Sequence, residues 1–193
     1  MSIVYDEAQK TISLHTKNTT YQMQVDKYGF LLHLYYGKKA EGCMDYLLTY
    51  YDRGFSGNPY DAGNDKTYSM DSLPQEFPSL GTGDYRTPAC IIKNTDRTYC
   101  SDFRYESHSI RDGKYALKGL PAVYADDSEA QTLEVVLQDR VTGVQAVLLY
   151  GVLPEYDIIT RSVRIVNASS GHISVKKLAP ACLDMMGGQY DFI

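Results

Sequence analysis

Four histidines, His15, His33, His108 and His172, are the side chains best suited to moving protons near neutral pH. Their spacing follows no metal-ligand pattern, and a lone histidine on a strand is more often structural than catalytic. Cys43, Cys90, Cys100 and Cys182 include no Cys-x-x-Cys pair, so no zinc site is expected. They read as reduced, mostly buried thiols of a reducing compartment. Asp126, Asp127 and Glu129 stand close together, the pattern of a solvated turn between strands rather than a catalytic carboxylate pair. No phosphate-binding loop, Gly-x-Ser-x-Gly elbow or His-Glu-x-x-His helix occurs. No catalytic residue, metal or cofactor is assigned from these residues. One segment stands apart. Gly42 to Pro88 is rich in Gly, Pro, Asp, Asn and Tyr, and Arg53-Gly-Phe-Ser-Gly-Asn-Pro-Tyr-Asp-Ala-Gly-Asn-Asp-Lys66 within it carries only turn chemistry. Long loops in compact domains are usually functional or disordered, and the aromatic and charged residues here argue against disorder. Function is expected in this loop.

The rest of the chain must hold that loop. At 193 residues it is long enough to bury a core without disulfide staples. Hydrophobic residues make up 44% and charged residues 22%, the balance of a globular protein. A net charge of -5 with scattered Lys and Arg argues against nucleic acid as a partner. The start, Met-Ser-Ile-Val-Tyr-Asp-Glu, lacks the basic and apolar runs of a signal peptide, and no stretch is long and apolar enough to span a membrane. A cytoplasmic location is expected, in which Asn18-Thr-Thr and Asn167-Ala-Ser are chance matches to the glycosylation pattern. Eighteen Tyr and no Trp fit a β-rich fold with many half-buried positions.

Period-two alternation dominates. Ile12 and Leu14, then Tyr21, Met23 and Val25, then Phe30, Leu32 and Leu34 after a turn at Gly29, predict a meander over the first 38 residues. Met44 to Tyr51 is expected to form a short helix. Ala89–Lys93 and Tyr99–His108 are expected to form a hairpin about Asn94-Thr-Asp-Arg. Leu133, Val135 and Leu137, then Val144 to Tyr150, Ile158 to Val166 and Ile173 to Leu178 give further strands. Many short strands with frequent turn signals predict an all-β fold, a large antiparallel two-sheet sandwich over residues 1–193. The apolar final residues, Gln-Tyr-Asp-Phe-Ile, read as a strand cut short, so the sandwich is expected to be truncated.

Seven segments, in order, carry a resemblance: Leu34-Tyr-Tyr-Gly-Lys38, Phe55-Ser-Gly-Asn-Pro-Tyr60, Leu73-Pro-Gln-Glu-Phe-Pro78, Gly81-Thr-Gly-Asp-Tyr-Arg86, Lys118-Gly-Leu-Pro-Ala-Val-Tyr124, Thr132-Leu-Glu-Val-Val-Leu137 and Asp157-Ile-Ile-Thr-Arg-Ser162. Their order and spacing resemble the N-terminal domain of glycoside hydrolase family 36, the bacterial α-galactosidases, across essentially the whole chain. The resemblance implies an N-terminal β-supersandwich followed by a catalytic (β/α)8 barrel and a C-terminal β-domain. Hydrolysis there retains configuration and uses two Asp residues on barrel strands, one nucleophile and one acid/base. A barrel of that kind takes about 250 residues of βα repeats, absent from this chain. The chain alone is therefore expected to be inactive.

The resemblance also implies a role for the loop. Many relatives are tetramers in which an N-terminal loop reaches the active-site mouth of a neighbour. The matching stretch contains Asp52, Arg53, Phe55, Asn58 and, beside Asp65, Lys66. A carboxylate accepts sugar hydroxyls, a cation donates to them, and an aromatic ring covers an apolar ring face. Relatives often carry Arg where Lys66 stands, and Lys lacks the planar fork for a bidentate contact. The implied partners are α-galactoside oligosaccharides of the melibiose and raffinose type and further copies of the chain, with no nucleic acid or membrane. Two other readings stay open, a stand-alone galactoside-binding module and a purely structural domain. In the structural reading Asp84 and Arg86 form an ion pair that braces the loop, and Tyr60, Tyr85 and Tyr105 are packing residues.

Overall fold

The computed structural model describes residues 2–52, 54 and 57–184. Among these residues ten strands form three antiparallel groups. The first sheet is a meander of β1 (Ile3–Asp6), β2 (Thr11–His15), β3 (Thr19–Val25) and β4 (Leu31–Lys38), in that spatial order. A second meander joins β6 (Phe103–Asp112), β7 (Gln131–Asp139), β8 (Gln145–Leu153) and β9 (Ile158–Val166). The remaining pair is β5 (Cys90–Lys93) with β10 (Ser174–Leu178). Three single turns of 3-10 helix, at Asp45–Leu47, Tyr60–Ala62 and Pro154–Tyr156, are the helical elements of the described residues.

The alternation in the sequence explains the layering. Ile12 and Leu14 of β2 face Met23 and Tyr21 of β3 across the ladder, and all four are buried. Their shared face packs with Leu133 and Val135 of β7, Ala146, Leu148 and Tyr150 of β8, and Ile92 of β5 in one core. Two sheets thus close face to face over one apolar interior, the sandwich that the strand pattern predicts. β8 is apolar on both faces, because Tyr115 covers Val147 and Leu149 on the outer side. The turn at Gly29 forms as expected: the residue has φ +84°, and Asp26 accepts the backbone N–H groups of Tyr28 and Phe30 at 2.9 and 2.8 Å.

Three expectations need correction. The hairpin between Ala89–Lys93 and Tyr99–His108 does not form. Its turn exists, with Asn94 N donating to Thr98 O at 2.9 Å, but residues 78–80 lie between the two arms. Ala89 N donates to Pro78 O at 2.9 Å on one side, and Ser101 N donates to Leu80 O at 3.0 Å on the other. β5 therefore takes β10 as its ladder partner, and β6 takes β7. The helix expected over Met44–Tyr51 is one 3-10 turn, ending where Leu48 turns extended at φ -70°, ψ 128°. Of the four thiols only Cys90 is buried; Cys43 and Cys182 are half-buried, and Cys100 is exposed.

Candidate functional site

The described part of the loop Gly42 to Pro88 lies over its own small core. Phe30, Leu32, Ala62, Tyr68, Met70 and Leu73 cluster beneath it, apart from the main interior. Tyr68 is fully buried and its hydroxyl donates to the Asp26 carboxylate at the β3–β4 turn. The turn at Tyr60–Ala62 is tied down by charge. Asp61 meets Arg104 and Arg140, each at 3.0 Å, and the same guanidinium groups reach Asp102 at 2.7 and 2.9 Å. The Arg140 hydrogen bond, reinforced by Arg104, holds the Asp61 carboxyl below its ordinary pKa. The Arg104 guanidinium carbon also stands over Phe30, 3.6 Å from the ring centroid, so one residue joins the loop, the second sheet and the satellite core.

A second brace comes from Gly81-Thr-Gly-Asp-Tyr-Arg86. Gly81 has φ +102°, and a Cβ there would meet Cys100 at 2.6 to 2.8 Å. Gly83 has φ +85°, and a Cβ there would stand 2.7 Å from the carbonyl oxygen of Gly57. Both positions need glycine, for handedness and for space. Asp84 and Arg86 form the expected pair at 2.8 Å, and Arg86 also donates to Met70 O and Leu73 O at 3.1 and 2.7 Å. Gln75 Nε2 donates to the same Asp84 oxygen, Oδ2, at 2.8 Å.

On this base the sequence-derived residues are placed as follows. Asp52 is exposed, and its Oδ1 accepts Gly54 N at 2.6 Å, which shapes the chain as an Asx turn. Asn58 is half-buried and its amide donates to Asp65 O at 2.6 Å. That bond draws Asn58 to the residue preceding Lys66, whose side chain is exposed. Asp65 itself is capped by Thr67 N at 3.0 Å and faces Lys27 at 3.9 Å. Arg53 and Phe55 lie outside the described residues. Tyr60 and Tyr85 are not packing residues: they are 98% and 77% exposed. Tyr105 is half-buried, with its hydroxyl 2.7 Å from His108 Nδ1, as a packing residue would be.

Two cavities flank the fold. One, of about 400 Å³, borders the loop between Tyr35, Tyr36, Leu48, Pro74, His33 and Arg86. The other, of about 590 Å³, lies at the far end of β6 and β7 and is lined by polar groups such as His15, Lys17, Lys39, Asp112 and Glu129. Neither is lined by Asp52, Asn58 or Lys66.

Sequence reasoning missed Glu76, the most enclosed charge in the described chain. It is fully buried at the seam between the sheets. Tyr21 of β3 donates to its two oxygens at 2.7 and 2.6 Å, Tyr150 of β8 at 2.6 Å, and Arg161 of β9 meets it at 2.8 Å. His33 Nδ1 of β4 stands 3.5 Å away, at the limit of hydrogen-bond distance. Burial acts to raise the carboxyl pKa, but the Arg161 charge, with His33 and Tyr150, outweighs it and holds the group ionised. Burial and the carboxylate push the phenols of Tyr21 and Tyr150 far up, so both remain donors. The readable signal was Arg161, which alternation puts on the same face of the strand Ile158–Val166 as Ile159, Val163 and Ile165, a face that packs against the core and demands a partner for the charge. Enclosed on all sides, Glu76 fastens the two sheets and reaches no ligand.

The N-terminal domain of glycosyl hydrolase family 36 matches residues 29–193. The chain belongs to this family. The family 36 chain is 59% identical, over its full length, to the bifunctional α-galactosidase/sucrose kinase AgaSK of Mediterraneibacter gnavus, spanning 21% of that protein. It is 37% identical to the α-galactosidase Mel36A of Lactobacillus acidophilus over 99% of its own length and 26% of that protein. The solved galactosidase domain of AgaSK superposes with a TM-score of 0.92 at 61% identity, covering 94% of this chain and 25% of that one. The α-galactosidase AgaA of Geobacillus stearothermophilus, solved in complex with raffinose, superposes at 0.83 with 35% identity, covering 88% and 24%. The chain thus spans between a fifth and about a quarter of the length of these relatives. The expected all-β sandwich and family stand, and no helix among the described residues is long and apolar enough to cross a membrane.

Proposed function

We propose that the chain is the accessory and oligomerisation domain of a cytoplasmic, tetrameric α-galactosidase acting on terminal α-galactosyl residues of melibiose- and raffinose-type oligosaccharides. In this reading chemistry belongs to a barrel: one Asp attacks the anomeric carbon, a second protonates the leaving oxygen and then activates water, and configuration is retained. This chain supplies neither carboxylate and is inactive alone. Its loop instead completes the mouth of an adjacent subunit's site with Asp52, Arg53, Phe55, Asn58 and Lys66. Asp52 accepts sugar hydroxyls and Lys66 donates to them. Asn58, whose amide nitrogen is held by Asp65, offers its carbonyl oxygen.

One observation carries the reading. The loop is fastened from beneath by Tyr68–Asp26, Asp61–Arg104 and Gly57–Gly83, yet Asp52 and Lys66 face outward. Polar groups held still and turned away from their own domain are preorganised for something outside it. The test is Asp52→Ala in the enzyme that carries this domain, with kinetics on raffinose and sedimentation of the assembly. A KM raised roughly tenfold, the worth of about one charge-assisted hydrogen bond, with the tetramer intact supports the donated loop. Unchanged kinetics leave the loop a purely structural element.

A further inference from the structure

Residues 58–65 form a small unit closed on itself. The Asn58 amide donates to Asp65 O at 2.6 Å. Within that span Ala62 N, Gly63 N and Asp65 N donate to Pro59 O, Tyr60 O and Ala62 O at 3.0, 3.1 and 3.0 Å. A unit bonded in this way moves as one body, so its direction is set by what ties it to the sandwich. Among the described residues two charged ties leave it. Asp65 meets Lys27 at 3.9 Å, and with side chains 38% and 62% exposed that single pair contributes little. Asp61 instead enters a closed ring of charges. Arg104 Nη2 and Arg140 Nη2 both donate to Asp61 Oδ2 at 3.0 Å, and the two guanidinium groups return to Asp102 at 2.7 and 2.9 Å. Arg140 also meets the carboxylate as a fork, with Nη1 3.3 Å from Oδ1, which fixes its plane as well as its place. The far side of the ring is firmly held. Buried Asp139 accepts Asp102 N at 2.9 Å and, at 2.8 and 2.9 Å, the N–H groups of Val141 and Thr142 in the turn that carries Arg140.

We infer that Asp61 is a positioning residue: through the ring it sets the direction of the Asn58–Asp65 unit, and with it the place of Asn58 and Lys66, without touching substrate itself. The inference rests on the donated-loop reading above. Anchoring alone needs one cation, and Arg140, half exposed, adds little to stability as a second. What the second cation adds is geometry. Arg104 reaches Asp61 from β6 and Arg140 from the turn between β7 and β8, so the carboxylate is held from two directions and the unit does not pivot about either bond. An offset of about 1 Å is tolerable in a fold but costly at a reacting site. Asn58 opens the unit and Lys66 follows its last residue, so a pivot about Asp61 displaces both.

The experiment uses the enzyme carrying this domain, with Asp61→Ala, Arg140→Ala, the double variant and Asp52→Ala compared by raffinose kinetics and by hydrogen exchange of the loop amides. Asp61→Ala is expected to raise the raffinose KM about two- to fivefold, the range of one charge pair. Its kcat stays within about twofold, and exchange of the amides in residues 58–66 quickens. Arg140→Ala, which touches the loop through Asp61, moves KM the same way, and the double variant is no worse than Asp61→Ala alone. Additive effects overturn the inference, because Asp61 would then act directly rather than through the ring. Unchanged exchange in Asp61→Ala overturns it as well. If Asp52→Ala moves KM and Asp61→Ala does not, the inference fails and the donated loop stands. If neither moves it, both fail. Should Asp61→Ala not assemble, as read by sedimentation, Arg140→Ala decides alone: a raised KM with quickened exchange supports the inference, and the natural KM overturns it.

Discussion

A carboxylate between two sheets survives only when donors meet both of its oxygens and a cation balances its charge. Glu76 has that set, drawn from β3, β8 and β9 together. Glu76→Gln removes the charge and leaves the largely enclosed Arg161, its side chain 11% exposed, without its counter-ion, for which about 3 kcal/mol of lost stability is expected. The urea midpoint of the 193-residue chain measures it. The pH dependence follows from the sign of the shift. The folded pKa of Glu76 lies below its ordinary 4.5, so the folded state binds the proton less readily than the unfolded one. Its contribution is complete above that value and is lost as pH falls through the folded pKa. The gap in urea midpoint between the natural chain and Glu76→Gln should hold from neutral pH to near 4.5, then narrow in stronger acid. A constant gap at every pH would place the stabilisation elsewhere. Little of this was legible beforehand, because a carboxylate in a Pro-flanked segment reads as surface. Only the conflict between Arg161 and its apolar strand hinted at a buried partner.

Elements show where local pattern ends. The meanders β1–β4 and β6–β9 follow from alternation and turn residues, since each strand pairs with its sequence neighbour. The β5–β10 pair does not, because Ile92 finds Val175 more than 80 residues further along and residues 78–80 occupy the place a hairpin partner would take. Turn chemistry at Asn94–Thr98 was real, yet it could not reveal what would be inserted beside it. The loop brace is similar. Gly81 and Gly83 were visible as part of a family motif, but the contact that makes Gly83 necessary is with Gly57, whose place depends on the folded loop. Gly83→Ala forces a side chain at φ +85° and sets a methyl 2.7 Å from a carbonyl oxygen. A loss of about 1–3 kcal/mol is expected, read as a lower thermal midpoint. Faster protease cleavage between Asp52 and Asn58 should accompany it. An unchanged midpoint with unchanged cleavage would show that the two segments do not brace each other.

At the scale of the whole molecule, the sandwich is a platform that turns one loop outward. Among the described residues its interior holds no reactive constellation: the fully buried carboxylate fastens sheets, and the thiol of Cys90 is pushed up to about 12 by burial and stays protonated. Among the described residues no group of three or more His, Cys, Asp or Glu could hold a metal ion. Composition and alternation carried the fold class, and the seven family segments carried the kinship. The geometry of the loop was out of reach of both, because it is set by contacts among Asp61, Arg104 and Arg140 that are separated by tens of residues. The central claim, that this domain serves a reaction it does not perform, is tested most directly by hydrolysis of a chromogenic α-galactoside. The 193-residue chain is assayed beside the same chain continued into a family 36 barrel. Turnover only in the longer protein is the predicted result, and turnover by the 193-residue chain alone would contradict the account.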